Sequence, residues 1–233
     1  MRTPVRFLTL LLIPMLISLG CSSEAEIAPA PVNEPTVATA EPDSSVFVVF
    51  GHEVRDYAAW KQVHMELYAV REQWGITDSY VMQGAEEDSV VWMMMSAPGP
   101  VAAKGFMVDP NLARLMDTEG VEGEVYRAIL ASGYTNSFDP AEFKDRIIVQ
   151  HDVRDFDAWK RVFDGHVGSR ERAGLVDLFV SYPIDDSLDV HMMFGVTDES
   201  ALTEYMASAP LRAAMRLSGV VGEPRAYFVR TAD

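Results

Sequence analysis

HEVRDYAAWKQV, His52–Val63, and HDVRDFDAWKRV, His151–Val162, are one sequence written twice, 99 positions apart. The register holds in both directions without a gap. Arg71-Glu72 meets Arg170-Glu171, Gly75 meets Gly174, Met93-Met94 meets Met192-Met193, Leu112 meets Leu211, and GVEGE (Gly120–Glu124) meets GVVGE (Gly219–Glu223). Self-similarity at one fixed offset is a duplication of a whole structural unit. The copies are expected at residues 46–131 and 145–233, with a linker at 132–144 where Gly133, Asn136, Ser137 and Asp139-Pro140 accumulate.

Both copies parse the same way. VFVVFGHEV (Val46–Val54) is an apolar, β-branched strand. Asp56 and Asp155 then stand where a short side chain accepts from a free backbone N–H at a helix start. The first helix is predicted to run to about Trp74 in copy one and Ala173 in copy two, each followed by glycine. Strands at Ile76–Gln83 and Val90–Ser96 flank the acidic turn Glu86-Glu87-Asp88. The second helix is predicted to break and restart at Asp109-Pro110 and at Ser208, and a last strand covers Glu124–Leu130. The order is βαββαβ.

VFVVF, VVWMMM, IIV and VHMMF are nearly continuous apolar runs, whereas a strand with one wet face alternates. Both faces of each sheet therefore need cover. Helices supply one side, and the sheet of the other copy is the simplest cover for the second. The expectation is an α+β fold: two tandem ferredoxin-like repeats forming an intrachain pseudo-dimeric α/β barrel, complete as a monomer.

This pattern, with His-x-Val-x-Asp-(Tyr/Phe)-x-x-Trp-Lys at His52–Lys61 and again at His151–Lys160, resembles the dimeric α/β-barrel superfamily, especially antibiotic-biosynthesis-monooxygenase and cyclase-like domains. The resemblance spans both repeats. It implies the fold, and with it an activity of the cofactor-independent oxygenase or cyclase kind as one reading. No motif matches the pocket residues of other members, so no catalytic residue is carried over.

Ahead of the repeats, Arg2 and Arg6 precede an apolar run, Phe7–Leu19, of about 13 residues, shorter than the roughly 20 that span a membrane. This reads as a signal peptide over residues 1–20. Ser18-Leu19-Gly20-Cys21 resembles a bacterial lipobox, which makes Cys21 the expected lipidation site and first mature residue. It departs from the family pattern at Ser18, where leucine is preferred. Residues 22–45 are rich in Pro, Ala, Glu and Ser and hold no aromatic residue, so they read as a disordered tether reaching up to about 70 Å. The expected place is the cell envelope, lipid-anchored, at the outer membrane facing the periplasm.

With 19 Lys and Arg against 35 Asp and Glu the net charge is −16, a field that repels nucleic acid and anionic membrane surfaces. Cys21 is the sole cysteine, so the folded part holds no disulfide, thiolate nucleophile or Cys-ligated metal. The remaining partners are a small-molecule ligand and, through the anchor, the membrane.

Helical periodicity turns Trp60, Val63, Leu67, Arg71 and Trp74 inward in copy one, and Trp159, Val162, His166 and Arg170 in copy two. A core-facing arginine needs a carboxylate, a carbonyl cluster or an anionic ligand; an acid at a strand end is the plain structural option. His52 and His151 close the first strand and could serve a loop or a ligand. His166 and His191 of copy two replace Leu67 and Trp92 of copy one, so copy two is expected to hold the more polar pocket. The histidine spacing lacks metal-ligand geometry and the methionines read as core filling, so no metal and no cofactor are expected.

Three functions follow. The first is a binding module for a small apolar or aromatic molecule, neutral or anionic, contacting Trp159, His166, Arg170, His151 and His191, with Trp60, Arg71 and His52 as the counterparts in copy one. The second is an enzyme with His166 or His151 as base and an arginine steadying the anion. The third is a structural or protein-binding lipoprotein with a solid interior.

Overall fold

The computed structural model describes residues 45–118, 120–131, 134–135 and 140–232. The signal segment, Cys21 and nearly all of the tether lie outside the described residues. Copy one runs β1 (Val46–Val54), α1 (Tyr57–Gln73), β2 (Thr77–Gly84), β3 (Val90–Ala97), α2 (Pro100–Met107), α3 (Pro110–Thr118) and β4 (Val121–Ala131). A two-residue strand, β5 (Tyr134–Thr135), follows. Copy two runs β6 (Asp145–Val153), α4 (Phe156–Gly165), α5 (Val167–Arg172), β7 (Leu175–Ser181), β8 (Asp189–Val196), α6 (Glu199–Met206), α7 (Ala209–Leu217) and β9 (Val220–Thr231).

The helix starts lie where the capping residues place them. Asp56 accepts from Ala59 N at 3.0 Å, Asp155 from Ala158 N at 2.6 Å, and Ser208 from Leu211 N at 3.2 Å. One expectation fails. α1 is continuous over 17 residues, but its counterpart breaks at His166 instead of running to Ala173. Gly165 and Gly168 weaken the helix locally. The His166 amide bonds Phe163 O, three residues back, which leaves Val162 O to the imidazole Nδ1 at 2.8 Å. A side chain thus takes the carbonyl that the backbone of a regular helix would use.

All strands pair antiparallel in one nine-stranded sheet of order β4-β1-β3-β2-β9-β6-β8-β7-β5. The copies share more than facing sheets. β2 pairs with the end of β9 (Met82↔Thr231, Gln83↔Arg230), and on the opposite seam Ala131 N donates to Tyr182 O at 2.8 Å, Ile184 N to Ile129 O at 2.9 Å, and β5 pairs with β7. The two outer edges are therefore bonded to each other across the copies, which is how a barrel removes the hazard of free edges.

Alternation along each strand now separates three cores. Val48 and Phe50 of β1 lie under the helices of copy one, with Trp60, Leu67 and Phe106. Val49, Trp92, Met94, Phe179 and Met193 fill the barrel interior. Ile147, Trp159, Val180 and Phe194 lie under the helices of copy two. The strands read as unbroken apolar runs because each side meets a different core.

Candidate functional site: an open half and a filled half

A cavity of about 170 Å³ lies between the sheet of copy two and its helices, where copy one leaves about 10 Å³. Residue pairs at the same repeat position explain the difference. Phe50, Leu67 and Leu115, at most 3% exposed, fill copy one; Val149, His166 and Ala214 stand in their places and line the cavity. Copy one also carries a clamp. Trp74 Nε1 donates to Asp109 Oδ2 at 2.9 Å, and its ring lies so near Gly105 that a Cβ there would meet it at 2.2 Å. Copy two has Ala173, Glu204 and Ser208 at these positions. Accordingly α3 buries Leu112, Leu115 and Met116, whereas α7 buries none of its residues and turns Leu211, Ala214 and Met215 toward the cavity.

The structure brings His151, Trp159, His166 and Arg170 together on this cavity. A bulge aims His151. The β6–β9 ladder passes from Gln150↔Arg225 to Asp152↔Val221, with the extra β9 residues turning through Gly222 at φ 71°. The imidazole, 7% exposed, lies 5.7 Å from the Trp159 ring, and no described residue hydrogen-bonds either nitrogen. Burial holds its pKa down to about 4, against the opposing pull of Asp189, so the ring is neutral at pH 7. It presents one donor and one acceptor. His166 is half-buried; since the Val162 carbonyl only accepts, Nδ1 carries a proton, and in the neutral ring Nε2 is then an acceptor.

Arg170 has its carboxylate. Nε and Nη2 meet Asp177 at 2.7 and 2.5 Å, Nη1 donates to Phe163 O at 2.6 Å, and the guanidinium stacks 3.6 Å from the Phe163 ring centroid. Arg170 is the only Lys, Arg, Asp or Glu on the described cavity wall, and Asp177 compensates its charge.

The other candidates lie elsewhere. His52, Trp60 and Arg71 belong to the filled copy, where His64 stacks on Trp60 at 4.6 Å and its Nε2 takes a hydrogen bond from Arg71 at 3.1 Å. His191 faces the barrel interior, 2.9 Å from Asp189 and 3.2 Å from the Tyr126 hydroxyl, so it does not join His151 and His166. Tyr205, Met215 and Ser218 also line the cavity and were not singled out from sequence. Comparing Val149 with Phe50 across the repeats would have pointed to the space they enclose.

Burial, its largest cause in each case, lowers the pKa of His52, His64 and His151 to about 4; Arg127 assists at His52, and Arg71 at His64. The unfolded chain takes up protons from about pH 6.5 downward while the folded state resists to about pH 4. Stability is therefore full above pH 6.5 and falls toward pH 4, by an amount on the order of 3 kcal/mol per histidine. Thermal melts from pH 8 to 4 are expected to show a midpoint flat above pH 7 and falling below 6.5. A midpoint unchanged down to pH 4.5 contradicts this.

No protein-family model matches the chain, and no curated protein matches it in sequence. Solved structures do match in shape. An anthrone oxidase-like protein aligns at TM-score 0.58 and 11% identity over 82% of this chain and 92% of its own. A provisionally assigned monooxygenase from Fusobacterium nucleatum aligns at 0.55 and 7% over 82% and 93%, and a provisionally assigned chlorite dismutase at 0.54 and 13% over 82% and 96%. At these identities the likeness establishes the ferredoxin-like dimeric α/β-barrel fold and nothing of the chemistry.

Proposed function

We propose that this tandem barrel is an envelope lipoprotein whose second repeat binds a small, neutral, apolar or aromatic molecule between helix and sheet. The observation that carries the reading is the cavity of about 170 Å³ in copy two beside the nearly filled copy one. An apolar cavity of about 150 Å³ is enough to take up benzene. The lipid on Cys21 and the tether of residues 22–45 would hold the barrel at the outer membrane, facing the periplasm.

The pairing of Arg170 with Asp177 favours a neutral occupant over an anionic one. It also weighs against the oxygenase or cyclase reading, because that arginine already serves a carboxylate. As a base, His151 has a conjugate acid near pH 4. Proton transfer to it from a phenol of pKa about 10 is uphill by about 8 kcal/mol before any stabilisation of the products.

Toluene is the direct probe. Titration followed by NMR is expected to give saturable one-to-one binding, with shifts concentrated at Trp159, Phe163 and Met215 and a higher melting temperature. Absence of shifts at saturation with toluene and with a hydroxyl-bearing probe of similar size rules the cavity out as a site and leaves the structural-lipoprotein reading.

A further inference from the structure

The cavity is almost wholly apolar, yet the buried His151 imidazole on its wall has neither nitrogen bonded by a described residue, and this carries information about the occupant. We propose that the ligand bears a neutral hydroxyl group, which both donates to and accepts from the His151–His166 side of the cavity; this rests on the binding function proposed above.

The hydrogen-bonding capacity of the His151–His166 side of the described wall decides the class. His151 offers an N–H and a lone pair, neither used by a described residue. His166 in its neutral form offers the Nε2 lone pair, its Nδ1–H being spent on Val162 O. The Ser218 hydroxyl donates to Met215 O at 3.0 Å, so only its oxygen remains for a ligand. Trp159 and Tyr205 also line the cavity and carry an N–H and an O–H, so donors are present there; what the buried imidazole itself lacks is one donor and one acceptor together, and an occupant must bring a proton to pair its lone pair. A hydrocarbon leaves both nitrogens of His151 unpaired. An ether or ketone pairs the N–H and leaves the lone pairs. A carboxylate brings only acceptors to a wall whose single cationic side chain is committed to Asp177 at 2.5 and 2.7 Å. A neutral hydroxyl donates once and accepts once, matching His151 by itself.

The filled copy supplies a contrast. His64 of copy one has Phe163 as its counterpart, and with Phe50 and Leu67 it closes the space beside His52. Only in copy two does the conserved position of the repeat motif, His52 or His151, face room for a molecule. Sites that hydrogen-bond a ligand hydroxyl discriminate strongly against the isostere lacking it, because the site's own buried groups are then left unpaired.

The test uses three aliphatic probes of nearly one shape, so that proton transfer plays no part: cyclohexanol, methylcyclohexane and cyclohexanecarboxylate, each titrated against the whole folded chain. Cyclohexanol is expected to bind about 10–100-fold more tightly than methylcyclohexane, and the carboxylate more weakly than both. His151→Phe removes the pair without adding a polar group; it should bring cyclohexanol down to the affinity of methylcyclohexane while leaving methylcyclohexane within a few-fold. Retained folding of that variant is read from its near-UV spectrum, and His166→Leu, the residue of the filled copy, serves as the second variant with a smaller loss for cyclohexanol. Equal binding of cyclohexanol and methylcyclohexane, or tightest binding of the carboxylate, overturns the hydroxyl assignment while the binding function stands. If no probe binds, toluene included, the binding function itself fails.

Discussion

Val149→Phe combined with Ala214→Leu is expected to abolish toluene binding and to raise the unfolding free energy by about 1–2 kcal/mol. The two changes give copy two the residues copy one uses, Phe50 and Leu115, which are 1% and 3% exposed. An unfilled apolar cavity destabilises by about 24 cal/mol per Å³, so 170 Å³ sets a ceiling of about 4 kcal/mol on what filling can return. Imperfect fit of new side chains takes back about 1–3 kcal/mol, which leaves the smaller gain. Either change alone should fall between the wild type and the pair. Chemical denaturation and the toluene titration read both effects. A variant that is more stable and still binds toluene with unchanged affinity would show that the cavity is not where toluene goes.

Asp177→Ala is expected to cost about 3–5 kcal/mol. Arg170 and Asp177 have side chains 6% and 11% exposed, so removing the carboxylate leaves a guanidinium buried with one carbonyl and an aromatic face. Solvent screening offers little relief at that depth. Arg170→Met with Asp177→Leu removes both charges and should recover most of the loss, since a buried pair replaced by apolar groups of similar volume is often neutral or stabilising. Urea melts of the single and double variants decide it: a loss below 1 kcal/mol for Asp177→Ala would mean that the pair is well solvated.

The fold was legible because the chain states it twice. The 99-residue offset, the capping aspartates and the glycine ends located each helix to within a few residues. The continuous apolar strands required cover on both faces, which the barrel provides. The break at His166 was not legible, because it depends on a side chain competing with its own backbone for Val162 O. His191 was placed beside His151 for lack of contrast: in VHMMF every neighbour is apolar, so no alternation told which residue faces the barrel interior. An arginine on the core face called for an acid near a strand end, and Asp177 sits in β7; which acid it was depends on chain geometry that periodicity does not encode. The cavity was the least legible feature, since empty space is a sum over many small differences such as Phe50 against Val149.

The barrel joins unequal halves through two hydrogen-bonded seams within one chain. In a barrel assembled from two identical chains, any substitution that hollows one half hollows the other, and the stability lost to an empty interior is lost twice. Fusion removes that constraint. Folding is worth only a small difference between large terms, and here the packed half, with its Trp74 clamp, contributes to it without having to accommodate a guest. The second half is thereby free to keep a cavity beneath its helix α7. On the binding function proposed above, covalent linkage of the copies divides the labour between a keel and a hold, and a change in what the hold carries need not disturb the keel.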